Sequence, residues 1–304
     1  MLNIPNEYRN ASLHPGRLEK LEYQTYDSFA YGQKGHELTK TAWVYVPYGY
    51  DESRPYNIFY LSHGGAGNEQ TFMGTPGKPG ERPDGPPGSI KNAVDHAIED
   101  RLMEPVLIVL PTYNNTTGKE SWDYSTSLRL TQQFHNELVG DLMPAVESKY
   151  STYARDTTEE GFRASREHRG FGGFSMGSVN TWHTFEYCLD YFRYFVTASG
   201  DLTDDGRYMA DVVKRAGYGA EDFFIWSATG TRDFDYHAFK RMIANMLRWG
   251  GDIFKAADNE KDGNLHFEEA PGMTHDYAAA DIYMFNGIRF IGQTWMQRSK
   301  GEKV

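Results

Sequence analysis

Gly173-Phe174-Ser175-Met176-Gly177 has the form G-x-S-x-G, and its reading decides the fold. Where a strand runs into a helix through this pattern, the turn is so tight that the flanking positions need glycine. The serine is then lifted, exposed, into a strained backbone conformation. Five residues alone carry little, because small-residue turns are common. The pattern becomes informative when an apolar strand precedes it, a helix follows it, and an acid and a histidine come later in that order.

The chain supplies each of these. Val179, Trp182, Phe185, Tyr187 and Leu189 give the apolar content of a helix after the serine. Upstream, Asn57-Ile58-Phe59-Tyr60-Leu61-Ser62 reads as a strand buried on both faces. It delivers the chain into His63-Gly64-Gly65-Ala66-Gly67. A histidine followed by glycines at a strand end marks an oxyanion loop, where backbone N–H groups approach a substrate with no side chains in the way. The N–H groups of Gly65 and Met176 are the expected donors. His63, upstream of the serine, is expected to shape the loop rather than to act as a base.

Downstream, Phe195 to Ala198 and Phe223 to Ala228 read as strands, the second opening into Thr229-Gly230-Thr231-Arg232-Asp233. A further strand, Leu265-His266-Phe267-Glu268, leads to Pro271-Gly272-Met273-Thr274-His275. A serine hydroxyl is too weak an acid to attack a carbonyl unaided, so Ser175 needs a base within hydrogen-bond reach. His275 is the best base and Asp233 the acid that would orient it. Asp235 is the main rival acid and Asp201 a weaker one; Asp276 is set aside because adjacent side chains diverge.

The remaining chain fits the same plan. Leu18–Ala30 and Glu37–Tyr48 read as an antiparallel hairpin. Helices are expected over Ile90–Met103 and Arg207–Ala216, and at the Phe239 to Leu247 and Ile282 to Trp295 periodicities. Leu130, Phe134, Leu138, Leu142 and Val146 mark one face of a long helix. Strands alternating with helices predict a mostly parallel sheet with an antiparallel start and helices on both faces: an α/β-hydrolase fold, one domain over 1–304. Thr112 to Ser127 carries Tyr113, Trp122 and Tyr124 at a strand's C-terminal end, as an aromatic platform for ligand or as surface packing. The Pro/Gly-rich stretch from Gly74 to Ser89 is a loop, read either as a wall of the site's mouth or as a passive surface excursion.

Composition bounds the rest. A hydrophobic fraction of 39% with 15% aromatics indicates a soluble globular chain rather than a disordered one. A net charge of −11 argues against nucleic acid or an anionic membrane as main partner. The one cysteine, Cys188, excludes an internal disulfide and a cysteine-rich zinc site. Asp258 to Glu269 resembles a calcium loop, with Gly263 sixth and Glu269 twelfth, but a strand and Pro271-Gly272 replace the exiting helix. A solvated acidic loop is the better reading, so neither metal nor cofactor is expected. The first residues lack a leader pattern and no stretch is apolar enough to span a membrane, which leaves a cytoplasmic location open.

Taken together, His63-Gly64-Gly65, the run from Glu147 to Ala154, His168 to Gly177, Ser199-Gly200-Asp201, Thr229-Gly230-Thr231 with Asp233, and Ala270-Pro271-Gly272 followed by Thr274-His275 resemble the feruloyl esterases of carbohydrate esterase family 1. The resemblance implies an α/β-hydrolase that releases ferulate from arabinoxylan in a secreted, plant-cell-wall-degrading setting. Its triad would be Ser175, Asp233 and His275; the resemblance favours Asp233 over Asp235, because Asp233 holds the matching position. The family often has aromatics gripping the acyl ring after Ser-Gly-Asp and after the histidine; Leu202, beside Asp201, and Tyr277 occupy these places here. Feruloyl and acetyl xylan therefore both remain candidate substrates, and an inactive carbohydrate-binding copy of the fold is the alternative from another class. Oligomeric state is not legible.

Overall fold

The computed structural model describes residues 3–75, 78–79 and 90–301. Most of the Gly74–Ser89 stretch, read above as wall or surface excursion, lies outside the described residues.

In chain order the elements are β1 (Arg17–Tyr26), β2 (Glu37–Val46), β3 (Asn57–Ser62), a two-residue ribbon pair β4 (Gly74–Thr75) and β5 (Lys78–Pro79), α1 (Ile90–Glu99), β6 (Val106–Leu110), α2 (Tyr124–Glu137), α3 (Met143–Glu147), α4 (Glu159–Ala164), β7 (Arg169–Phe174), α5 (Met176–Tyr187), β8 (Tyr194–Ala198), α6 (Gly206–Arg215), β9 (Phe224–Gly230), α7 (Tyr236–Trp249), β10 (Leu265–Ala270) and α8 (Tyr277–Ser299). Eight strands form one sheet in the order β1-β2-β6-β3-β7-β8-β9-β10. β1 and β2 run antiparallel, and β2 meets β6 antiparallel; the six strands from β6 to β10 are parallel.

The continuous apolar runs are explained by burial on both faces. Ile58 and Tyr60 of β3 enter one core with α2, α5, α6 and α7, while Phe59 and Leu61 enter the other with α1 and α8. The four-residue spacing from Leu130 to Val146 exceeds the 3.6 residues of a helical turn. A π-helical turn at Leu138–Leu142 takes up the excess, so the one long helix expected there is α2 and α3 joined through that turn, with the marked residues all buried. α5 is not amphipathic: its residues from Met176 to Phe185 are all buried. Several of its polar side chains find buried partners: Thr181 Oγ1 and Thr184 Oγ1 donate back to the carbonyls of Gly177 and Asn180, and Ser178 Oγ donates to Gly200 O.

β7 begins at a buried ion pair that locks the start of the elbow strand. Arg169 forks onto both Glu147 oxygens at 2.8 and 2.9 Å, and also donates to the carbonyls of Phe162 and Tyr191 and to Ser165 Oγ. Removing one partner strands the other charge in the core, which costs about 3–5 kcal/mol. Arg169→Met is therefore expected to lose about that much stability, read as a lower urea midpoint at unchanged slope.

The acidic loop from Asp258 does not close around an ion in its arrangement of side chains. Glu260 is engaged by Arg193 and Arg298, Asn259 bonds Asp262, and Glu269 lies on β10 rather than a helix, paired with Lys240. Among the described residues no three metal-ligating side chains converge. Cys188 is buried, and burial pushes its thiol pKa up, which makes it inert.

Candidate active site

Every residue expected to carry chemistry follows the C-terminal end of a parallel strand: His63 after β3, Ser175 after β7, Asp201 after β8, Asp233 after β9 and His275 after β10. That edge is where open α/β sheets bind ligands.

Ser175 has φ +58°, a conformation that a non-glycine residue adopts only under constraint. The constraint is visible. Its N–H donates to Ala198 O at 2.8 Å, while the first turn of α5 pulls back on its carbonyl. Glycine is needed on either side because of close approach. A Cβ on Gly173 would lie 2.6 Å from the Gly177 backbone, and one on Gly177 would lie 2.4 Å from Ser62 O.

Ser175 Oγ lies 2.8 Å from His275 Nε2. His275 Nδ1 lies 2.8 and 2.9 Å from the two oxygens of Asp233, whose side chain is fully buried. A carboxylate at Nδ1 fixes the N–H there and leaves Nε2 free to accept the serine proton. Asp233 is itself oriented by the N–H of Asp235, which donates to its Oδ1 at 2.8 Å. The imidazole sits between Phe174 and Phe234, with ring centroids at 4.6 and 4.0 Å.

Above the serine, Met176 opens α5, so its N–H has no intrahelical acceptor. The N–H of Gly65 also meets no acceptor among the described residues, whereas that of Ala66 is taken by Ser121 O at 2.7 Å. His63 braces the loop from below. It is buried, with Nδ1 2.7 Å from Gly64 O and Nε2 2.9 Å from Thr112 Oγ1, and burial lowers its pKa to about 4. It stays neutral and structural.

A cavity of about 230 Å³ opens beside Ser175 and His275. Trp122, Tyr124, Met176, Val179 and Phe234 give it apolar walls, and Asp201 and Asp235 give it a polar one. Of the five side chains expected to meet substrate, Trp122 and Asp201 reach this wall. Three do not, which corrects the sequence reading. Tyr113 is buried beneath the oxyanion loop, donating to Gly64 O at 2.9 Å. Leu202 turns inward against the core, with its N–H 3.3 Å from Met242 Sδ. Tyr277 packs behind the site against Phe72 and Phe174. Tyr124, the third aromatic of the expected platform, also reaches the wall, while Phe234 was missed; both are largely exposed. The signal for Phe234 was its place between the two candidate acids.

Asp235 is the rival that the geometry sets aside from His275, yet it has its own peculiarity. Burial and the adjacent Asp201 carboxylate push its pKa up to about 8.

A family of putative esterases matches residues 37–242. Endo-1,4-beta-xylanase Y of Acetivibrio thermocellus is 36% identical over 295 residues, covering 94% of this chain; the chain spans about a quarter of that protein's length, 24%. A serine-to-alanine mutant of the feruloyl esterase module from Clostridium thermocellum, complexed with sinapinate, is 34% identical and superposes with a TM-score of 0.80, covering 95% of this chain and 92% of that one. A ferulic acid esterase from Anaeromyces mucronatus, in complex with ferulic acid, shares the fold at 17% identity and a TM-score of 0.68, covering 96% and 97%. With its strand order, its elbow and these relatives, the chain belongs to this esterase family and has the α/β-hydrolase fold.

Proposed function

We propose that the chain is a serine esterase that releases ferulate and related hydroxycinnamates from arabinoxylan, acting outside the cell on plant cell-wall polysaccharide. The observation that carries this reading is the continuous Asp233–His275–Ser175 hydrogen-bond chain beneath an aromatic-walled cavity. Ser175 Oγ attacks the ester carbonyl carbon as its proton passes to His275 Nε2. The carbonyl oxygen, now an oxyanion, accepts from the N–H groups of Gly65 and Met176. As the carbonyl reforms, the carbon–oxygen bond to the sugar breaks and His275 Nε2–H protonates the departing alkoxide. Water, deprotonated by His275, then attacks the acyl-enzyme, releasing the acid and restoring the serine. Asp233 remains ionised throughout and stabilises the transient imidazolium.

Trp122, Tyr124 and Phe234 favour a ring-bearing acyl group over acetate, since flat aromatic walls contribute most when an aromatic ring stacks on them. They supply from other loops the aromatic surface that Leu202 and Tyr277 do not. Initial rates on methyl ferulate and on acetylated xylan decide the point. Ferulate release well above acetate release is expected. Acetate release alone would transfer the assignment to an acetyl-xylan esterase, and no release of either would leave a binding module on a dead hydrolase fold.

A further inference from the structure

Asp201 and Asp235 stand on the same cavity wall as Ser175, close enough that the Asp201 carboxylate helps push the Asp235 pKa up. No other pair of acids lines this cavity among the described residues. Two carboxylates in contact do not both stay ionised when one is largely buried; they hold one proton between them. Asp235 is the buried partner, and its Oδ2 meets no N–H or O–H donor among the described residues. A charged Oδ2 so placed would lack a donor, although the Asp201 backbone N–H reaches the same carboxyl group, whereas a carboxylic acid donating to Asp201 satisfies that oxygen.

Asp201 is partly exposed and lines the cavity, where a carboxyl oxygen can accept from a ligand. Its place relative to the nucleophile is fixed by the backbone. The carbonyl of Gly200 is held by Ser178 Oγ at 2.7 Å and by Trp182 Nε1 at 3.0 Å, and Ser199 Oγ is bonded to Thr229 Oγ1 at 3.0 Å. A Cβ at Gly200 would come within 2.2 Å of Ser175 O, so the two backbones are in direct contact. An acceptor placed beside a nucleophile in a cavity walled by Trp122, Tyr124, Val179 and Phe234 is a specificity device, because a substrate lacking the matching donor leaves it unpaired.

We propose that Asp201, with Asp235 beside it, selects a hydroxyl group on the substrate, an Asp201 carboxyl oxygen accepting from that hydroxyl. The proposal rests on the esterase reading above. The hydroxyl belongs either to the ring of the acyl group or to the sugar from which it is cleaved. In both cases a neutral hydroxyl is preferred over an ether-capped one and over a carboxylate.

The test compares kcat/KM for methyl ferulate, methyl 3,4-dimethoxycinnamate and an arabinosyl ferulate, using the wild type, Asp201→Ala and Asp235→Asn. Ratios between substrates are read on each enzyme, so a partly misfolded preparation does not disturb them. A hydrogen bond to a charged group predicts a wild-type preference of about tenfold to a hundredfold for the hydroxyl-bearing ester. Asp201→Ala should erase it, and Asp235→Asn, whose amide still donates to Asp201, should keep it. Loss of the preference for ferulate over its dimethoxy analogue assigns the acyl hydroxyl; loss of the preference for the arabinosyl over the methyl ester assigns the sugar. Equal ratios in wild type and Asp201→Ala overturn the proposal while leaving the esterase assignment standing. A wild type inactive on all three esters overturns both.

Discussion

Ser175→Ala is expected to reduce kcat on methyl ferulate by about a million-fold while the protein stays folded. Nothing else in the cavity replaces the lost oxygen. Ser121 and Ser199 also line the cavity, but Ser121 Oγ is committed to Gly67 O and Ser199 Oγ to Thr229 Oγ1, and among the described residues only Ser175 is hydrogen-bonded to His275 Nε2. His63 has both ring nitrogens engaged and Cys188 is buried in the core. What survives is the contribution of the two N–H donors and of the cavity, which leaves a small rate above that of water. Stability should move little, because alanine bears the positive φ at about the same cost as serine and the methyl group fits where the Cβ already sits. Initial rates paired with a thermal melt check both halves. A variant keeping even a tenth of the wild-type rate would remove Ser175 from the chemistry.

Asp233→Asn is expected to lower kcat by about ten-thousand-fold, and Asp235→Asn far less. The difference follows from which ring nitrogen carries a proton. Asp233 touches His275 Nδ1 through both oxygens and so demands an N–H there. An asparagine can turn its amide N–H towards Nδ1, which moves the ring proton to Nε2 and takes away the acceptor that the serine needs. Asp235 touches His275 only through its neighbour. Its backbone N–H supports Asp233, and that bond survives a side-chain change. Steady-state kinetics on the two variants, with KM reported separately, tests this; equal losses would assign the two acids a joint role.

The strands and the order serine, acid, histidine were legible because they rest on local pattern. Apolar runs of five or six residues mark strands buried on both faces, and a turn too tight for side chains announces itself in glycines. The sheet order was not legible. β6 lies between β2 and β3, although β3 comes first in the chain, and only the pairing Asn57↔Val106 to Tyr60↔Val109 shows it. The direction of loop side chains was equally hidden. Tyr113, Leu202 and Tyr277 all follow strand ends or the histidine, as a ligand contact should, but their loops turn them away from the cavity. Tyr124, at the start of α2, and Phe234, on the loop after β9, reach it instead. The contact between Asp201 and Asp235 joins loops after neighbouring strands β8 and β9, a proximity that exists only once those strands pair. The π turn after α2 could have been suspected, since a strict spacing of four does not fit a regular helix.

The chain carries its nucleophile and its base a hundred positions apart, and this separation sets the order in which competence arises during synthesis. β7 and the elbow leave the ribosome long before β9, β10 and the histidine that follows them, and segments nearer the start are the first able to fold. Until β9 and β10 have docked onto β8, Ser175 is an ordinary hydroxyl with nothing to take its proton. A nascent or truncated chain that stops short of His275 can build much of the sheet and still cut no ester. Reactivity is the last property the polypeptide acquires.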